Sequence, residues 1–158
     1  MELPKRKTIR LKNFDYSGSY YYFITICTHE KKCIFGNINQ LNQYGKITEK
    51  CIKKIHEVFP SVYIDEYIVM PNHVHMILFT ENALQKGNLP NIPTIVGQFK
   101  MAVTKEIRKV NPNCIVWQRS FYDHVIRNEK SYCEIWKYVK YNDQKWAEDC
   151  YFIDQDNI

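Results

Sequence analysis

The chain has no apolar run long enough to span a bilayer, no C-x-x-C pair among its six cysteines, and no glycine-rich phosphate loop. Each absence removes a class. Without a stretch of about 20 apolar residues a membrane-spanning helix is not expected. Cysteines 27, 33, 51, 114, 133 and 150 have no regular spacing, so neither a zinc ribbon nor a disulfide scaffold is indicated. With no segment resembling a secretory signal, they read as reduced thiols and the protein as cytoplasmic. The missing Walker-type loop argues against nucleotide hydrolysis. Internal repeats and low-complexity segments are also absent.

What is present is a globular composition. Of 158 residues, 45% are hydrophobic and 25% charged, which suits one domain, 1–158, with a single core. Twelve Tyr, eight Phe and three Trp are more aromatics than a core of that size needs, so some are available to stack on nucleobases. The net charge of +5 is compatible with a polyanionic partner. Residues 1–13 carry Lys5, Arg6, Lys7, Arg10 and Lys12 with little apolar pattern, a flexible basic arm or a phosphate-contacting one.

Tyr20 to Thr28 is β-branched and aromatic throughout, and reads as the first strand. Residues 29–41 suggest a loop or short hairpin. From Gln43 to Phe59, Tyr44, Ile47, Cys51, Ile55 and Val58 recur at helical spacing until Pro60 stops the pattern. Ser61 to Met70 and His73 to Thr80 then read as two strands meeting at Met70-Pro71-Asn72, since proline cannot donate to a ladder. Residues 81–92 are linker-like. Pro93 and Thr94 open a second helix with Ile95, Val96, Phe99, Val103 and Ile107 inward. Val116 to Ile126 contains the last strand. Asn128 is suited to cap a final helix running through Tyr132, Ile135, Trp136 and Val139 toward residue 146. The order strand, helix, strand, strand, helix, strand predicts an α+β fold: a ferredoxin-like antiparallel sheet with its crossover helices on one face. The extra C-terminal helix is then free to pack on the opposite face, where the histidines could lie.

The chemistry centres on Asn72-His-Val-His75. His73 and His75 stand two apart on a strand and so point to one face, roughly 6–7 Å apart. Two imidazoles there can converge on one cation and leave positions open for a substrate oxygen. A bare His-x-His is equally consistent with two buried histidines satisfied by backbone carbonyls. Asn-His-Val-His after Met-Pro, followed by Trp117-Gln-Arg-Ser-Phe-Tyr-Asp-His-Val-Ile-Arg-Asn128 and then Tyr138-Val-Lys-Tyr-Asn142, resembles the single-tyrosine HUH transposases. The nearest branch is the IS200-like, REP-associated tyrosine transposases, over about residues 15 to 148. One departure is Asp143, where family members commonly have proline.

The resemblance implies a metal-dependent endonuclease and strand transferase acting on single-stranded or hairpin DNA in transposition. Tyr138, on the C-terminal helix, would be the nucleophile forming a 5′-phosphotyrosine, with Tyr141 as its rival. His73, His75 and Asn142 would hold Mg²⁺ or Mn²⁺, with Zn²⁺ also acceptable to two imidazoles. His124 stands next in line as third ligand. Lys100, Lys105, Arg119 and Arg127 are candidates for DNA phosphates, with solvated or structural ion-pair roles as the alternative for each. A homodimer is compatible with this reading. The competing reading is a non-catalytic, domesticated DNA-hairpin-binding protein on the same scaffold.

Overall fold

Strand β1 (Tyr20–Cys27) is the spine of the sheet, because both of its edges are paired. The computed structural model describes residues 20–81 and 90–153. The basic arm expected at 1–13 lies outside the described residues, as does most of the linker expected at 81–92. After β1 come a short hairpin, β2 (Gly36–Asn37) with β3 (Gln40–Leu41), and helix α1 (Gln43–Lys53) with its short continuation α2 (Ile55–Val58). Strands β4 (Val62–Val69) and β5 (His73–Thr80), helix α3 (Ile92–Arg108), edge strand β6 (Tyr122–Ile126) and helix α4 (Glu129–Lys140) follow. A 3-10 segment, Asn142–Glu148, leads into the last described residues.

The sheet order is β4-β5-β1-β6 with every pairing antiparallel, the ferredoxin-like arrangement that the element order implies. Alternation along the strands divides the side chains. Tyr22, Ile24, Ile26, Val74, Met76 and Leu78 join Ile52, Ile95, Phe99, Val103 and Ile107 of the two crossover helices in the main core. On the other face, Ile77 and Ile126 form a smaller cluster with Val139, ringed by Tyr21, Phe23, Ile68, Tyr132, Ile135 and Trp136. That places α4 across the sheet from α1 and α3, on the face occupied by His73 and His75. Among the described residues no helix is long and apolar enough to cross a membrane.

Two helix expectations need revision. The helix expected over 43–59 breaks at Lys54, whose φ/ψ of −90°/−6° ends the hydrogen-bonded run. Val58 beyond the break is consequently exposed, and the buried positions are Gly45, Thr48, Ile52 and Ile55. The final helix stops at Lys140 instead of continuing toward 146, because Tyr141 leaves the helical region at φ −111°. Asn142 therefore opens the 3-10 segment and is not on α4 itself.

The docking of α4 is specified by β4. A bulge between Ile64 and Glu66 shifts the register there. A bulge re-aims side chains, and here both acids beside it meet α4. Tyr132 donates to Asp65 Oδ2 at 2.6 Å, and Lys140 Nζ lies 3.4 Å from Glu66 Oε2. Asn128 Oδ1 caps the start of the helix by accepting from Ser131 N at 2.8 Å. With both ends and the apolar stripe fixed, Tyr138 has little freedom to move along the sheet.

Candidate metal and nucleophile site

His73 and His75 are held by the rings' other nitrogens. Asn72 Nδ2 donates to two carbonyls, Lys31 O at 3.1 Å and Tyr151 O at 2.7 Å, which fixes Oδ1 as an acceptor. The Nδ1 of His73, 2.8 Å from that Oδ1, must then be the protonated nitrogen. His73 Nε2 is left with a lone pair. His75 Nδ1 lies 2.8 Å from Thr25 Oγ1, its cross-strand neighbour. A hydroxyl both donates and accepts, so His75 is free to carry its proton on either nitrogen. In one pattern His75 Nε2–H donates to His73 Nε2, 3.0 Å away. In the other, Thr25 accepts from Nδ1–H and both Nε2 lone pairs converge. The second is the arrangement a metal site needs, with each ring oriented by a hydrogen bond from its far side.

Two oxygens complete the convergence. Asp149 Oδ2 is 3.7 Å from His73 Nε2, on a side chain only 1% exposed, and has no hydrogen-bond partner. Asn142 is buried, and its carboxamide acts on both His73 and Tyr138, yet its Oδ1 makes no hydrogen bond of acceptable geometry. One ligand atom from each of His73, His75 and Asp149 lies within 4.8 Å of the others. Burial pushes His73 down to about 4, against the pull of the Asp149 charge, and pushes His75 well below 6.5, helped by its neighbour. Both rings are thus neutral at ordinary pH, and the Asp149–His73 contact is not an ion pair. Buried acceptors without donors are costly. With His75 protonated on Nδ1, two neutral imidazole nitrogens, a carboxylate and an amide oxygen converge in a set that fits a divalent cation.

Tyr138 borders this cluster. Its hydroxyl is 3.4 Å from His75 Nε2, its ring centroid is 5.1 Å from that imidazole, and 42% of it is exposed. Its pKa is pushed up to about 12, first by burial and then by Asp149 and Cys150. Tyr141 packs on Trp136, at 6.5 Å between centroids, and has no contact with the histidines. Tyr151 instead stacks 4.7 Å from His73, and Trp146 6.1 Å, so the segment after α4 roofs the imidazoles.

The structure brings together His73, His75, Asn142 and Tyr138. Arg119 and Arg127 are exposed at the two ends of β6. Lys100 and Lys105 lie on α3, across the sheet from the site. Lys100 Nζ donates to Gln118 O at 2.7 Å and Ser120 O at 3.2 Å, anchoring the approach to β6. His124 is exposed on β6 and outside the metal-competent cluster. Sequence reasoning missed Asp149, Asn72 as orienter, and Thr25. Only Asn72 had a signal, its position beside His73.

No protein-family model matches the chain. It is 40% identical over 169 residues to an uncharacterized protein of Haemophilus influenzae, covering 94% of both. A second Haemophilus influenzae protein, provisionally named a REP-associated tyrosine transposase, is 27% identical over 85% of this chain and 74% of its own length. Among solved structures, a REP-associated tyrosine transposase bound to a REP hairpin superposes with a TM-score of 0.59 at 20% identity, covering 86% of this chain and 73% of that one. In sequence the chain is similar to a REP-associated tyrosine transposase, and it shares the fold of one whose structure is solved.

Proposed function

We propose that this protein is a metal-dependent strand transferase for single-stranded or hairpin DNA, working in transposition through a covalent 5′-phosphotyrosine. The observation that carries the proposal is the Tyr138 hydroxyl 3.4 Å from His75 Nε2, beside a buried cluster in which Asp149 Oδ2 and Asn142 Oδ1 have no hydrogen-bond partner. His73 Nε2, His75 Nε2, Asp149 Oδ2 and Asn142 Oδ1 would hold Mg²⁺, Mn²⁺ or Zn²⁺. The cation would polarise a phosphate oxygen and offset the charge that develops on it.

The protein's own groups account for the remainder. Asn72 sets the tautomer of His73, and Thr25 orients the ring of His75. The roof of Trp146 and Tyr151 keeps water from the buried side, and the exposed edge of Tyr138 leaves one direction for a backbone phosphate to approach. A phenol held up to about 12 is protonated at neutral pH and is a weak nucleophile until its proton leaves. In the transfer, a bond forms between Tyr138 Oη and phosphorus as the bond from phosphorus to O3′ breaks. The phenolic proton given up is balanced by the one taken up at the freed 3′-OH. One phosphodiester replaces another, so the reverse step joins strands without a nucleotide cofactor.

A protein that only gripped hairpins would not need three neutralised ligands and a buried carboxylate under a tyrosine. Incubation with hairpin-bearing single-stranded oligonucleotides and Mn²⁺, followed by denaturing electrophoresis, tests the proposal. A slower, metal-dependent band carrying both protein and label is expected. Binding without any covalent species would leave the hairpin-binding reading in its place.

A further inference from the structure

Helix α4 covers only part of its sheet face. It packs over β4 and β5 and reaches Tyr21, Phe23 and Ile126, and leaves Tyr122 and His124 of edge strand β6 as an exposed strip. Cross-strand pairing sets Tyr122 beside Thr25 and His124 beside Phe23 on this open strip. Tyr122 is 38% exposed, His124 is exposed and Phe23 is half-buried. The rings run in a line toward the site. Tyr122 and Phe23 have centroids 6.2 Å apart, Phe23 and Tyr138 6.0 Å, and Tyr138 and His75 5.1 Å. Thr25, between them, is the residue that orients His75. Arg119 precedes β6 by three residues and Arg127 directly follows it, both exposed.

Folding does not require a water-facing tyrosine on an edge strand, or a phenylalanine left half-covered next to it. We propose that this strip is a stacking ledge for single-stranded DNA, with Tyr122 and Phe23 seating the bases next to the phosphate presented to Tyr138. The ledge rests on the strand-transfer reading for its end point, since its line of rings terminates at the nucleophile. The occupant follows from that continuity. A paired duplex hides the faces of its bases, whereas an unpaired strand exposes every one of them to an aromatic surface. The two arginines supply positive charge along the path its phosphates would follow.

The test compares fluorescein-labelled oligothymidine with an abasic phosphodiester chain of equal length, by anisotropy at fixed salt. Stacking on aromatic side chains is sequence-tolerant and is worth about fivefold or more in affinity per base. Wild-type protein should therefore prefer the base-bearing strand by about that factor. Tyr122→Ala, on an exposed edge, should lose most of the preference while binding the abasic chain unchanged, and Tyr122→Trp should keep it. Equal affinity of the wild type for both strands, or full preference in Tyr122→Ala, would overturn the ledge. Covalent adduct formation is scored separately on hairpin oligonucleotides. An adduct with an unaltered Tyr122→Ala preference removes the ledge and leaves strand transfer standing. A lost preference with no adduct from the wild type does the reverse.

Discussion

Asp149 allows a forecast whose sign changes with metal. Its Oδ2 is buried and unpartnered beside a neutral imidazole, and such an acceptor costs about 1–3 kcal/mol. Asp149→Asn removes the charge and keeps the shape, and Oδ1 can go on accepting from Tyr151 N as it does at 2.8 Å. In chelator the variant should be more stable than wild type by ~1 kcal/mol. For a chain of this size that raises Tm by about 2–4 °C. Saturating Mn²⁺ should reverse the order. A ligand at about 100 times its Kd stabilises the native state by roughly 2.7 kcal/mol, or about 5–10 °C for wild type. Loss of the carboxylate should weaken binding by about 10–100-fold, the range seen when supports of a metal site are removed. At the same Mn²⁺ concentration the variant would then gain only about 0.4–1.4 kcal/mol. Thermal melts by circular dichroism, with EDTA and across a Mn²⁺ titration, read both effects. A wild-type Tm unmoved by Mn²⁺, Mg²⁺ or Zn²⁺ would refute the metal site. A fall of several degrees for Asp149→Asn in EDTA would show the carboxylate to be a satisfied structural group.

Asn142→Ala should need more Mn²⁺ for cleavage and recover partly at saturation, whereas His75→Ala should not recover; an unchanged metal titration in Asn142→Ala removes that residue from the site. The folded-state value of His73, about 4, lies below its ordinary 6.5, so the unfolded chain binds the proton first as pH falls. Stability of chelated protein should be full above about pH 6.5 and decline by a few kcal/mol as pH drops through about 4; denaturant melts that stay flat across that window would contradict neutral, buried histidines. Val139, fully buried between α4 and the sheet, should cost about 1–3 kcal/mol on truncation to Ala. Because α4 positions Tyr138, adduct formation should fall further than hairpin binding, measured side by side on the folded variant.

Much of this arrangement was legible from local pattern. The two-residue spacing of His73 and His75 needs only strand periodicity, and Tyr132, Ile135, Trp136 and Val139 needed only a helical one. Asn128 as a cap follows from its side chain alone. What escaped depends on long-range geometry. Thr25 meets His75 through the pairing of β1 with β5, a register no single segment encodes. Asp149 sits after a 3-10 segment without a burial period, so nothing local distinguishes it from the neighbouring exposed Glu148. The end of α4 at Lys140 was equally hidden, because Tyr141 and Asn142 are not helix breakers. The turn away from helix there nonetheless leaves Asn142 against His73 and Tyr138.

The claim that Tyr138 is the nucleophile is tested most directly by locating the DNA on the protein. Wild-type protein is reacted with a hairpin-bearing single strand and Mn²⁺, digested with protease and nuclease, and sequenced by tandem mass spectrometry. The expected result is a nucleotide remnant on Tyr138, and none from the Tyr138→Phe variant, which should still fold and bind the hairpin. A remnant on Tyr141 or Tyr151, or an adduct that persists in Tyr138→Phe, would contradict it.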